Sequence, residues 1–263
     1  MNRVLMRTNQ QSEMGEETFD PIGNGPVRIG VIPGSRGAGA TLISLGLAQL
    51  LAQQDRKGKD RITYLELRGN TVGPTVYDWT GMEKRFAGRN FWDFFNMAKN
   101  QEPFRQRLNL DEGINWILPM PEDWSSDFAQ RARLIRRAPG SILICDFSIF
   151  PEVGEHLADM DVLILVVDPA PSGLLASLPI LREVRRMEEA GMPVIRVLNK
   201  WNEGIEKREV LRFLQDREPL TIADIPYEAI CRCQFSCHLP LKDPGISSRM
   251  KSPLEKIIHR IFP

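Results

Sequence analysis

A chain of 263 residues, 42% hydrophobic and 26% charged, is long enough to bury a full core and has the composition of a globular domain. Its 34 basic residues balance its 34 acidic ones, which excludes a strongly basic nucleic-acid-binding domain and leaves at most a local basic patch. No run reaches the roughly 18 uncharged apolar residues of a transmembrane helix, so none is expected.

The first 26 residues are polar and acidic, without the apolar run of a signal peptide. We expect a disordered lead-in over 1–26 and a single domain over 27–263. Cysteines in a chain without an export signal are expected to be reduced thiols, and the expected compartment is the cytoplasm. These cysteines are Cys145, Cys231, Cys233 and Cys237.

Short apolar, β-branched runs then alternate with helical patterns. Strands are predicted, in chain order, at 27–33, 61–67, 114–120, 141–148, 161–169, 194–200 and, more weakly, 221–226. Helices are predicted at 42–54, 126–137, 173–190, 206–216 and 250–262. This alternation predicts a doubly wound α/β fold, with a mostly parallel sheet flanked by helices and with ligands bound at the carboxyl ends of the strands.

A glycine-rich turn, GSRGAGAT over 34–41, follows the first strand and matches most of the phosphate-loop pattern G-x-x-x-x-G-K-[ST]. Gly34 and Gly39 occupy the glycine positions and Thr41 the hydroxyl position, while Ala40 stands where the lysine belongs. The glycines and the amides at the start of the next helix can still cradle a phosphate. The lysine would neutralise the phosphates and stabilise charge developing during transfer, and Ala40 does neither.

With this turn at the start of a long α/β alternation, the chain resembles the ParA/MinD family of deviant phosphate-loop ATPases over most of 27–263. That family carries K-G-G-x-G-K-T, and here Ser35 and Ala40 replace its two lysines. Arg36 is the only cation in the loop, and a guanidinium can meet a phosphate through a fork of hydrogen bonds.

Two further family elements are altered. The family's D-x-D-x-x-x-N run, whose second Asp helps activate the attacking water, corresponds here to Glu66, Arg68 and the nearby Asn70. Arg68 cannot act as a general base at neutral pH, and is either a solvated loop residue or a contact to a phosphate or an acidic partner. The switch D-x-[PA]-G becomes Asp-Phe-Ser-Ile at 146–149, which argues against sensing of a γ-phosphate.

Other elements are kept. Asp146 ends an apolar strand where phosphate-loop proteins hold Mg²⁺, and Asn199 ends another where the family reads adenine. The resemblance therefore implies ATP or ADP with Mg²⁺ as ligands, and Thr41 and Asp146 at the metal. The implied nucleotide-binding residues are Gly34, Ser35, Arg36, Gly37, Ala38, Gly39, Ala40, Thr41 and Asn199.

Loss of the lysines, the catalytic acid and the switch together is expected to cost several orders of magnitude in rate. The resemblance therefore predicts a pseudo-ATPase, non-catalytic or very weakly catalytic, that acts as a dimeric scaffold or localisation factor. The alternative is a slow ATPase in which Arg36 or a partner-subunit residue replaces the lysine. A third reading is an empty pocket on a binding surface.

The degenerate loop and the IPYE run at 225–228 resemble the TadZ/CpaE-like branch, which positions the Flp (Tad) pilus secretion machinery at a cell pole. That likeness implies protein partners in a pilus, secretion or cell-positioning system. MinD relatives end in a membrane-binding amphipathic helix, which would place this chain at the inner face of the membrane. For the apolar face of 250–262 here, packing on the sheet is the favoured interpretation.

The thiols and imidazole of CRCQFSCH (231–238) do not have a standard metal-site spacing, and packing under the final strand and helix is favoured. Arginines at 130–139 and 181–187 lie in a chain of balanced charge, so nucleic-acid binding is not expected. The aromatic-rich segment 70–109 is open to two readings, a partner contact at the family's dimer face or an ordinary core.

Overall fold

The computed structural model describes residues 25–55, 61–69, 75–104, 107–120, 126–149, 153–216 and 218–263. Of the lead-in predicted over 1–26, all but Gly25 and Pro26 lies outside the described residues, as does Asn70. Within the described ranges no helix is both long enough and apolar enough to cross a membrane.

One eight-stranded sheet organises the chain. Its strands are β1 (Val27–Pro33), β2 (Ile62–Leu67), β3 (Leu110–Asp111), β4 (Ile114–Ile117), β5 (Ile142–Phe147), β6 (Val162–Val167), β7 (Val194–Trp201) and β8 (Leu220–Ala223). They lie in the order β3-β4-β2-β5-β1-β6-β7-β8. The pairings are parallel apart from the antiparallel β3–β4 hairpin. The predicted doubly wound, mostly parallel α/β fold is confirmed.

Helices cover both faces of the sheet. They are α1 (Ala40–Gln54), α2 (Val76–Trp79), α3 (Met82–Arg85), α4 (Phe94–Lys99), α5 (Phe128–Arg137), α6 (Val153–Leu157), α7 (Pro171–Ala176), α8 (Leu178–Glu189), α9 (Lys207–Leu214), α10 (Tyr227–Phe235) and α11 (Pro244–Ile261). A 3₁₀ turn, Pro240–Lys242, precedes α11. Alternate strand residues feed two buried clusters: Tyr64 joins the one under α1 and α11, and Leu65 joins the one under α4, α5 and α8.

Helix boundaries depart from the predicted ones where capping intervenes. The helix predicted over 173–190 is divided at Ser177, whose buried hydroxyl donates a hydrogen bond to the Leu174 carbonyl at 2.6 Å. The last helix begins at Pro244 rather than at 250, because the Asp243 carboxylate accepts hydrogen bonds from the amides of Gly245 and Ile246. Helices α2, α3, α4, α6 and α10 and the short β3 were not predicted.

The C-terminal helix packs into the core. Leu254 and Ile257 are fully buried in the cluster that contains α1, so their apolar face is covered by the protein, as the favoured interpretation expected. The four cysteines carry free thiols. Cys233 lies buried in α10, where its thiol donates to the His238 carbonyl at 2.9 Å. No group of three or more His, Cys, Asp or Glu side chains in the described chain could hold a metal ion.

Candidate nucleotide site

The glycine-rich loop links the carboxyl end of β1 to the start of α1. The Gly34 amide donates to the Val166 carbonyl of β6 at 2.6 Å, which ties the loop to the neighbouring strand. Gly37 and Gly39 have φ of 79° and 93°, a left-handed backbone that side chains rarely adopt. Gly39 precedes α1 without a side-chain cap, so the first amides of this helix are available to an anion.

Asn199 supports the loop from below. Its side chain is buried at the end of β7, and its Nδ2 donates to the Ala38 carbonyl at 2.8 Å. A Cβ on Gly39 would lie well within 3.0 Å of that same Nδ2, so the loop can close over Asn199 only with glycine at this position. The structure thus gives Asn199 a loop-positioning contact that sequence reasoning missed. Its expected contact with adenine stays a prediction.

Two carboxylates meet where β2 and β5 end. Glu66 and Asp146 are partners in the parallel register, and only 5% and 3% of their surfaces are exposed. The Tyr64 hydroxyl donates to Asp146 Oδ2 at 2.7 Å, and the Val76 amide donates to Glu66 Oε2 at 3.0 Å. Asp146 Oδ1 is also buried, and accepts no hydrogen bond from the described residues.

Burial dominates the electrostatics of this pair. It raises the pKa of Glu66 to about 8, with repulsion from Asp146 adding to the effect and the nearby Arg68 opposing it. Burial also raises the pKa of Asp146 to about 6, against the lowering effect of the Tyr64 hydroxyl. Because the two sites interact, they titrate as a pair, which carries a proton at neutral pH.

The buried, unsatisfied Oδ1 of Asp146 fits the expected magnesium site. Mg²⁺ in phosphate sites is bound through one or two protein oxygens, with phosphate and water supplying the rest. Thr41 and Asp146 line the same cavity, so their hydroxyl and carboxylate oxygens are the protein groups that would hold the ion. A cluster of three or more protein ligands is not required for such a site.

The loop and the acidic pair open into a cavity of about 1230 Å³. This space exceeds the ~300–1,000 Å³ of typical small-molecule pockets and is ample for a nucleotide. Of the predicted nucleotide-binding residues, the loop from Arg36 to Thr41 and Asn199 line it. Gly34 and Ser35 are not among the described lining residues; both are buried in the loop that leads to the cavity.

The positions of the cations distinguish this cavity from an ordinary phosphate loop. Ala40 is 5% exposed and its methyl packs in the hydrophobic core. Arg36, Arg68 and Lys200 line the cavity instead. Lys200 Nζ forms an ion pair with Asp168 Oδ2 at 2.8 Å, and Arg68 Nε lies 3.6 Å from Glu66 Oε1. Positive charge is therefore present in the cavity, but at other positions than the lysine position of the phosphate-loop pattern.

Sequence reasoning missed the far side of the cavity, which α2 and α10 form. Its lining includes Trp79, Thr80, Tyr227, Gln234 and His238. Several of these residues lie in the runs 225–228 and 231–238, which the sequence singled out for other reasons. Asp224 and Ile225, predicted as strand, instead follow β8 at the carboxyl edge where ligands bind.

Arg85 holds this far side together. Its Nε donates to the Thr80 carbonyl at 2.7 Å, and its Nη2 donates to the Cys237 carbonyl at 2.8 Å. Its Nη1 contacts Asp111 at 2.8 Å and Glu112 at 2.6 Å in the β3–β4 hairpin. One side chain thus connects three segments that are distant in sequence.

No protein-family model matches this sequence, and no curated protein matches it. Solved structures do match its fold. A ParA family ATPase from Chlorobium tepidum TLS superposes with a TM-score of 0.67 at 16% identity, covering 89% of this chain and 98% of that one. MinD in the MinC:MinD cell division protein complex from Aquifex aeolicus and MinD complexed with Mg-ADP from Pyrococcus horikoshii OT3 are also similar.

The Aquifex structure gives a TM-score of 0.66 at 13% identity and covers 89% of this chain and 96% of the other. The Pyrococcus structure gives 0.63 at 12% identity and covers 88% and 96%. At such identities the likeness shows the fold. The eight-stranded, mostly parallel sheet flanked by helices is that of the ParA/MinD phosphate-loop ATPases.

Proposed function

We propose that this chain is a nucleotide-binding protein of the ParA/MinD type that hydrolyses ATP very slowly or not at all, and that it acts as a dimeric scaffold or localisation factor. The observation that carries the proposal is the composition of one cavity. The cradle formed by Gly37 and Gly39 and the metal-binding oxygens are retained, whereas Ala40 and Arg68 stand where the family has a lysine and an acid.

Binding rests on groups that need no lysine. The uncapped amides at the start of α1 and the positive end of its dipole face the anion. When bound, Mg²⁺ would neutralise phosphate charge, with Thr41 and Asp146 as its protein contacts. Asn199 keeps the loop in its binding shape through the Ala38 carbonyl. The solved relative with Mg-ADP supports nucleotide as the ligand class.

Hydrolysis lacks its usual groups. Loss of one charge-stabilising donor costs about 10²–10³ in rate, and loss of a positioned base costs about 10²–10⁴. A guanidinium offers only donors and no acceptor, so the side chain at position 68 cannot take a proton from water. These losses support a bound nucleotide that acts as a structural element rather than as a consumed substrate.

The proposed scaffold role rests on the likeness to a protein that was solved in complex with a second protein. One similar structure is a complex of MinD with MinC, a second protein. We propose a homodimer across the loop face, where Arg36 and Gly37 are exposed. We further propose partners in a pilus, secretion or cell-positioning system, in the cytoplasm or at the inner face of the membrane. The IPYE run, which resembles the TadZ/CpaE-like branch, supports this assignment. Two of its residues, Ile225 and Tyr227, line the cavity.

Isothermal titration of the purified chain with ATP and ADP, each with and without Mg²⁺, tests the proposal. We expect micromolar binding that Mg²⁺ strengthens, together with turnover close to background. Asp146→Asn should abolish the magnesium effect while leaving metal-free binding near the wild-type value. Absence of binding at millimolar nucleotide would mean a vestigial pocket, and turnover typical of an ATPase would refute the pseudo-ATPase assignment.

The second candidate is a slow ATPase that uses Arg36. Arg36 is exposed on the loop and lines the cavity, and no hydrogen bond or ion pair to another described residue holds it. If this candidate is right, wild-type turnover is measurable and collapses in Arg36→Ala. An unchanged low rate in that variant would exclude Arg36, and loss of turnover on dilution would indicate a partner-subunit residue instead.

A further inference from the structure

Arg68 occupies an unusual place in this cavity. It follows β2 at the carboxyl edge of the sheet, its side chain is 21% exposed, and its Nε lies 3.6 Å from Glu66 Oε1. Glu66 pairs in register with Asp146, the expected metal-binding carboxylate. The guanidinium therefore lies at the metal end of the cavity, partly withdrawn from water.

The other cations of the described lining are less suited to that end. Lys200 is paired with Asp168 on the β6–β7 side of the sheet, whereas Glu66 and Asp146 belong to β2 and β5. Arg36 lies on the outer turn of the loop and is exposed. A guanidinium offers five donors in a planar fork, and this geometry matches the oxygens of a phosphate.

We propose that Arg68 binds the terminal phosphate of a nucleoside triphosphate and supplies the positive charge that Ala40 lacks, exchanging Glu66 for the phosphate as the nucleotide enters. This inference rests on the proposed function and adds its phosphate-binding residue. The step is one of binding, because no covalent bond forms or breaks. Arg68, which stands where the family has its catalytic acid, would then be a phosphate-binding residue.

The position of Arg68 predicts which nucleotide depends on it. Thr41 and Asp146 would hold a magnesium ion that neutralises the terminal phosphates of a bound nucleotide. Because Arg68 contacts Glu66, the register partner of Asp146, its charge would lie at the terminal end of the phosphate chain. Removing it should therefore weaken ATP more than ADP. A residue that only stabilised the loop would change both affinities by the same factor.

Titration calorimetry with Mg-ATP and Mg-ADP on Arg68→Ala, Arg68→Lys and Arg212→Ala provides the test. Arg212 is the matched control, since it forms an Arg–Glu ion pair with Glu209 at 3.0 Å on α9, which does not contribute to the described lining. We expect Arg68→Ala to weaken ATP binding about 10- to 100-fold and ADP binding less than about 3-fold. Arg68→Lys should be intermediate, because it keeps the charge and loses the fork, and Arg212→Ala should match the wild type.

Each contrary outcome is informative. If Arg68→Ala lost affinity for ATP and ADP equally, or lost none, the proposed role of Arg68 would be wrong. The proposed function would still stand, because the wild type would still bind nucleotide. No binding by the wild type would overturn both. If Arg68→Ala lowers the unfolding temperature of the ligand-free protein, its loss of affinity could come from lost stability, and Arg68→Lys becomes the deciding variant. Wild-type affinity for ATP in Arg68→Lys would contradict the proposal. An unchanged ratio of ATP to ADP affinity in that variant would contradict it as well.

Discussion

The two sides of the cavity are built in different ways. The loop wall (34–41 with Asn199 and Asp146) consists of groups at the ends of neighbouring strands, held by backbone geometry and short hydrogen bonds. The outer wall (76–86 with 227–238) consists of short helices that one arginine, Arg85, joins to a distant hairpin.

Binding and stability should therefore be coupled more tightly in the loop wall than in the outer wall. In the loop wall the supporting contacts lie within the predicted nucleotide site, so a mutation there should damage both stability and binding. In the outer wall the supporting contacts lie behind the lining, so a mutation there should lower stability more than it changes the phosphate site. Four measurements test this distinction between the walls, and the variant that should cost the most stability comes first.

The first concerns the loop wall at Gly39. Gly39→Ala places a Cβ on Asn199 Nδ2 and forces a left-handed backbone on alanine, so we expect a loss of about 3–4 kcal/mol in unfolding free energy, together with loss of nucleotide binding. Gly37→Ala is the matched control, since Gly37 is also left-handed but its Cβ would meet open space. It should cost about 1 kcal/mol in urea unfolding. Equal costs would show that the packing against Asn199 is not the cause.

The second concerns the outer wall. Arg85→Ala removes four contacts from a side chain that is only 14% exposed and leaves Asp111 without this partner, so we expect a loss of about 2–3 kcal/mol. Arg89 reaches the same Asp111 at 3.3 Å but is half exposed, so Arg89→Ala should cost less than about 1 kcal/mol. Calorimetry should show nucleotide affinity within about threefold of wild type in Arg85→Ala. A larger loss of affinity would mean that the two walls act as one.

The third uses pH to probe the acidic pair. Glu66 has a pKa near 4.5 when unfolded and about 8 when folded, so between these values the folded state binds more protons and stability falls as pH rises. We expect urea unfolding to show a drop of about 2 kcal/mol between pH 5 and pH 8.5 in the wild type. Glu66→Gln should remove most of this slope and should be more stable than the wild type at pH 8.5. If the stability of the wild type and of Glu66→Gln changed with pH in the same way, Glu66 would not be the group responsible for the slope.

The smallest expected effect is at Asn199. Asn199→Ala leaves the buried Ala38 carbonyl without its donor, so we expect a loss of about 1–2 kcal/mol and weaker nucleotide binding. Asn202, which is exposed three residues later, provides the control, and Asn202→Ala should change stability by less than about 0.5 kcal/mol. Full stability with reduced binding in Asn199→Ala would indicate a direct contact with the base instead.

Much of the loop wall could be predicted from the sequence because its signals are local. Strand β1 was predicted with its observed bounds from a short, β-branched apolar run, and the glycines that follow it mark the loop directly. Asp146 and Asn199 were found because each ends an apolar strand, and parallel strands end at one edge of the sheet.

Helices α2 and α3 of the outer wall could not be predicted, because four residues each are too few to show a period. Helix α2 covers only Val76–Trp79 and is specified by a capping box between Thr75 and Asp78. The register that sets Glu66 beside Asp146 also required the strand order, which alternation alone does not define.

By itself the sequence determined the alternation of strands and helices, the glycine-rich turn and the absence of its lysine, because each is a property of consecutive residues. The contacts between Asn199 and the loop, between Arg68 and Glu66, and between Arg85 and the far side of the cavity emerged only from the tertiary structure. The first and the last of these contacts join residues far apart in the chain. Their partners are set by the packing of whole elements, which no local pattern encodes.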